Sequence, residues 1–194
     1  MKKEIEFLDS FRADPSVIPS VINELINRLK QAEYHPDEID EIVLAVDEAV
    51  TNAVLNTIEK TRKTRISNEH PDRRDITVGY TITRKFFNAT VIDQGPGLDI
   101  YNVLQSLPDS GSDSYISQIM NYVSKSEKKK IRVRINGREI PVSLTGTGQG
   151  LKIIMKFMDS VTIDLIDKKE ILSSSVTEHT DGTILNMKRK RRLK

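Results

Sequence analysis

The chain has 194 residues, 37% apolar and 30% charged, with 30 Lys and Arg against 28 Asp and Glu and a formal charge of +2. These proportions suit one globular domain around a single core and exclude a disordered or fibrous chain; the near balance of charge does not make nucleic acid the default partner. The absence of cysteine rules out disulfides, thiolate chemistry and cysteine zinc sites.

Residues 1–8 lack the apolar run of a signal peptide, and no later stretch approaches the roughly 20 apolar residues of a spanning helix. The expectation is therefore a cytoplasmic protein with no membrane partner. Partial alternation predicts a short strand over residues 4–8. After Asp14-Pro15, the apolar residues Val17, Ile18, Val21, Ile22, Leu25, Ile26 and Leu29 recur every three or four positions, predicting an amphipathic helix with one buried face. Pro36 starts a second helix that runs to about residue 60, with an apolar stripe of Ile39, Ile42, Val43, Val46, Val50, Ala53 and Val54. Residues 61–75 are charged and lack an apolar period, so a solvated loop or a helix extension is expected there.

Residues 76–82 and 87–92 alternate polar and apolar about a short turn, the pattern of a β-hairpin. Residues 98–145 form an insertion with two short helical stretches, at 100–107 and 115–123, and a hairpin-like pattern over 131–142. Gly146-Thr147-Gly148-Gln149-Gly150 then leads into an apolar run at 151–158, and strands follow at 161–166, 171–177 and 183–187. The basic run over residues 188–194 reads as a solvated tail. The order indicates an α+β domain spanning 1–194, a two-layer sandwich with helices on one face of a mixed, largely antiparallel sheet.

Three clusters carry chemistry. Glu48 and Asn52 stand one turn apart on one face of the second helix, and Asn56 follows a turn later. Magnesium takes hard oxygen ligands and shares substrate phosphates, so the Asn52 carboxamide is a sensible ligand and Glu48 could deprotonate an attacking hydroxyl. Taken alone, the pair is more simply a wet helix face. Asp93-Gln94-Gly95-Pro96-Gly97 ends a strand, where a lone carboxylate can accept from an exocyclic amine such as that of adenine; taken alone, the glycines are more simply a tight turn. Gly146, Gly148 and Gly150, with Thr147 and Leu151, stand at a helix start suited to phosphate, without the lysine of a P-loop.

Taken in order, these clusters resemble the GHKL (Bergerat) ATP-binding fold of type II topoisomerases, Hsp90, MutL and sensor histidine kinases. Leu44-Ala45-Val46-Asp47-Glu48-Ala49-Val50-Thr51-Asn52-Ala53-Val54 and residues 148–161 look like the motifs of anti-sigma-factor serine kinases of the RsbW and SpoIIAB type, as does Asp181-Gly182-Thr183-Ile184. The resemblance implies ATP and Mg2+ as cofactors, with Asn52 on magnesium, Glu48 as catalytic base, Asp93 on the adenine amine and Thr183 supporting it through water. Asn56, Gly95, Gly97, Gly146, Thr147, Gly148, Gly150 and Leu151 would line the nucleotide.

The implied activity is a serine/threonine protein kinase that phosphorylates a STAS-domain anti-sigma factor antagonist, alternatively sequesters a sigma factor, and forms a homodimer. An inactive nucleotide-gated binding module and the ATP-binding half of a histidine phosphorelay are the alternatives. Two departures bear on the partner and the lid: Asn56 stands where many relatives have histidine, and residues 98–145 exceed a compact lid. That segment, with Lys128, Lys129, Lys130, Arg132 and Arg134, is expected to close over the triphosphate or to contact a partner.

Overall fold

The structure, a computed structural model, describes residues 4–66, 75–95, 132–135, 138–141, 149–167, 172–173 and 180–192. Strand β1 (Ile5–Arg12) leads into helices α1 (Val17–Gln31) and α2 (Pro36–Ile66), then strands β2 (Asp75–Ile82) and β3 (Phe86–Asp93). A small hairpin, β4 (Arg132–Ile135) and β5 (Arg138–Pro141), precedes helix α3 (Gln149–Phe157) and strands β6 (Ser160–Asp167), β7 (Leu172–Ser173) and β8 (Thr180–Lys190). The main sheet has the order β1-β2-β3-β8-β6-β7, and every described pairing is antiparallel. The β4–β5 hairpin forms its own two-stranded sheet beside β6. The expected α+β sandwich is the observed one; the two predicted short helices at 100–107 and 115–123 lie outside the described residues.

Strand periodicity sorts the residues between the two faces. Ile76, Val78, Tyr80 and Ile82 of β2, Phe87, Ala89 and Val91 of β3, Val161, Ile163 and Leu165 of β6 and Met187 of β8 are all buried. Against this inner face α1 sets Val21, Leu25 and Leu29, and α2 sets Ile39, Ile42, Val46, Val50 and Val54. His35 stands before α2, its carbonyl accepting from Ile39 N–H at 3.0 Å, while Pro36 needs no amide donor and Asp37 and Glu38 complement the dipole. Residues 61–66 continue α2, which resolves the choice left by their charged sequence.

The basic run is not a solvated tail as far as Arg192. Strand β8 extends through Lys190, and its alternation puts Arg189 on the inner face at 3% exposure. There Arg189 pairs with Glu41 of α2 and donates to the Phe157 carbonyl at 2.8 Å. Arg191 donates to the carbonyls of Ala32 and Glu33 just past α1 and lies 4.4 Å from the Tyr34 ring centroid. Helix ends leave such carbonyls unsatisfied, so Arg191 acts as a cap supplied from 158 residues away. Arg192 pairs with Glu41 at 2.9 Å and donates its N–H to the buried Glu38 carboxylate at 2.7 Å.

Candidate functional site

The inner face of β3 is apolar from Phe87 to Val91 and turns polar at Asp93. The alternation that buries Phe87, Ala89 and Val91 also buries Asp93, at 6% exposure. A carboxylate so placed needs hydrogen bonds. Its Oδ1 accepts from Gly95 N–H at 2.7 Å, closing a tight turn at the strand end. An ionised carboxylate has about four lone-pair positions and can accept from several donors at once. A Cβ on Gly95 would lie 2.7 Å from Asp93 Oδ1 and 2.8 Å from Asn56 Cβ; the turn sits this close to α2 because residue 95 is glycine.

Thr183 of β8 is the register partner of Asp93 and is itself buried. Its Oγ1 has no hydrogen-bond partner among the described residues. Buried hydroxyls are rarely left so, and an orphan beside a buried carboxylate fits a water or ligand held between them. The preceding Gly182 runs against β3, where a Cβ would fall 2.3 Å from the Asp93 carbonyl oxygen.

On α2, Glu48 and Asn52 are both half-buried, and Asn52 Nδ2 donates to Glu48 Oε1 at 3.1 Å. That bond orients the carboxamide: the NH₂ faces the carboxylate, leaving Oδ1 as the atom to meet a cation. One turn on, Asn56 packs against Gly95, and Thr57, fully buried, accepts from Gln94 N–H at 3.3 Å. The helix thus joins the Glu48 and Asn52 pair to the Asp93 turn.

Gly150 and Leu151 lie in the first turn of α3, which packs beside α2; the N–H groups of a helix's first turn have no partner within the helix, the feature that suits such ends to anions. Gly97, Gly146, Thr147, Gly148 and Lys128 to Lys130 lie outside the described residues. Among the described residues no group of three or more His, Cys, Asp or Glu could hold a metal by itself. A single carboxamide oxygen fits a magnesium ion that takes its other ligands from water and phosphate. Sequence reasoning missed Thr57 and Gly182 as site residues. A lone helix threonine carries no signal, whereas Gly182 stood in the recognised Asp-Gly-Thr run.

A buried carboxylate and hydroxyl at the sheet end, set beside a helix bearing a carboxylate and a carboxamide, make an arrangement suited to a polar ligand on an α+β domain. The model of the histidine kinase-like ATPase domain matches residues 11–176, and the chain belongs to that family, within the GHKL superfamily. It is a GHKL ATP-binding, kinase-like domain. No curated protein matches the chain. Among solved structures 12 chains match. One is a mycobacterial sensor histidine kinase, MprB, at 14% identity and a TM-score of 0.39, with 96% of this chain and 100% of that chain covered. No helix among the described residues is long and apolar enough to cross a membrane.

Proposed function

We propose that the chain is a Mg-ATP-dependent serine/threonine protein kinase of a partner-switching module, phosphorylating a STAS-domain anti-sigma factor antagonist and alternatively sequestering a sigma factor. The observation that carries the reading is the hydrogen-bonded Glu48 and Asn52 pair on the helix that also packs on the Asp93 turn. A module that only bound nucleotide would need the adenine and phosphate contacts but no carboxylate at this point.

Asp93 accepts from the adenine amine, with Thr183 Oγ1 reaching the same base edge through water. Asn52 Oδ1 would hold magnesium, which when bound neutralises charge on the β- and γ-phosphates. Glu48 accepts the proton of a serine or threonine hydroxyl as its oxygen attacks the γ-phosphorus and the bond to the ADP oxygen breaks. The product carries nearly two negative charges, which an apolar contact with the kinase would not tolerate, so the antagonist is released. A homodimer in the cytoplasm is part of this reading.

The test is to incubate the protein with γ-labelled ATP, magnesium and candidate STAS proteins from the same genome. Acid-stable label on serine or threonine is the expected outcome. Acid-labile label on a histidine of a separate protein would instead establish the phosphorelay reading, with which the family description is also compatible. Nucleotide binding without transfer to any protein would leave the switching module.

A further inference from the structure

Thr57 belongs neither to the Glu48 and Asn52 pair nor to the adenine carboxylate, yet it is the polar link between them. Pairing of β3 with β8 ends at Asp93 and Thr183, and Gln94 is the first residue beyond it. Its N–H turns to α2 and donates to Thr57 Oγ1 at 3.3 Å. The Thr57 side chain is fully buried and β-branched, so packing holds the hydroxyl in one place. Gly95, one residue further on, rests on Asn56 with no room for a Cβ. The turn thus meets α2 through a hydrogen bond at Thr57 and a close steric contact at Asn56, neighbouring helix positions.

The geometry points to Thr57 as a positioning residue for base recognition. Its hydroxyl seats the turn that aims the Asp93 carboxylate, on the same helix that carries the catalytic pair, and so sets selection of a 6-aminopurine. This rests on the ATP reading above. The physical reason is that a carboxylate reads an amine only when the acceptor lies within hydrogen-bond distance and alignment; a turn free to slide by an ångström forfeits that contact. Contacts to ribose and phosphates do not pass through Asp93 and need not change.

The test compares ATP with purine riboside triphosphate, which lacks only the 6-amino group, by calorimetry on the full chain. Wild type should prefer ATP. Thr57→Val keeps the branched shape and removes the acceptor of the Gln94 N–H; ATP affinity should fall about 5- to 30-fold, while the amine-free analogue changes less than about twofold. Thr57→Ser, which keeps the hydroxyl, should hold the wild-type preference within about threefold. Equal loss for both nucleotides, or an undiminished preference for ATP, overturns the role of Thr57. If Thr57→Val does not fold, judged by circular dichroism, Thr57→Ala lacks the acceptor in a good helix former and is read by the same criterion. A wild-type protein that bound neither nucleotide, or both equally, would sink the adenine reading of Asp93 and this inference with it.

Discussion

Replacing Gly182 by alanine probes the site where β8 and β3 come closest. The added carbon would stand 2.3 Å from the Asp93 carbonyl oxygen, 3.4 Å from its carbonyl carbon and 3.6 Å from Gln94 Cα. All three are main-chain atoms, so no side chain can rotate away. The strands must part by most of an ångström at the end of the ladder, displacing Asp93 from Thr183. Overpacking of this kind costs about 1–3 kcal/mol, which in a chain of this size lowers Tm by roughly 3–10 °C. The proposed adenine contact is more sensitive. Losing one hydrogen bond to a charged acceptor is worth about 1.5–3 kcal/mol, or roughly 10- to 150-fold in ATP affinity. Calorimetric titration with ATP beside thermal melts of Gly182→Ala measures both. Affinity within twofold of wild type and an unchanged Tm would refute the close approach and with it the placement of Asp93 against β8.

Three further outcomes are expected. Asn52→Ala should bind ATP with no dependence on magnesium, because the cation loses its protein oxygen; titrations with magnesium and with EDTA should then coincide. Glu48→Ala should keep nucleotide affinity within a few-fold while transfer of the γ-phosphoryl group slows by about 10²-fold or more, read as labelled antagonist per minute. At Glu41, burial would raise the carboxyl, but hydrogen bonds and charge from Arg189 and Arg192 outweigh it and hold it below the ordinary 4.5. The folded state then takes up a proton less readily than the unfolded chain. Its contribution is complete above the ordinary value and is lost as pH falls through the lowered one, so melts between about pH 6 and about pH 2 should fall more steeply for wild type than for Glu41→Gln.

Much of the site was legible because helix and strand periods govern it. The 3.6-residue stripe of α2 buries Val46, Val50 and Ala53, which forces Glu48 and Asn52 onto the neighbouring face. The two-residue period of β3 that buries Phe87 and Val91 puts Asp93 on the same side. What escaped has a physical reason in each case. Arg189 sits within a run of cations, a pattern that normally marks solvent, and Glu41 and the Phe157 carbonyl, brought near by folding, make its burial tolerable. Residues 61–66 hold a helix without an apolar period. Thr57 differs from a core valine by one hydroxyl, whose partner Gln94 is 37 residues away.

The arginines at the end of β8 also bear on how the chain is made. Strand β8 lies between β3 and β6 in the sheet, and Arg189 and Arg191 reach back 148 and 158 residues to Glu41 and Glu33. While β8 is still being synthesised, α1 lacks its cap, Glu41 lacks its buried partner and the sheet lacks an interior strand. Contacts this distant in sequence close late and slow folding. Until then β3 stands as an open sheet edge, and a stop codon after Met187 would restore most of that pairing but leave α1 without its cap and Glu41 without its buried partner. Such a truncation would spare Glu48, Asn52, Asp93 and Thr183, yet deprive α2, which carries the first two and packs on the Asp93 turn, of its anchorage through Glu41.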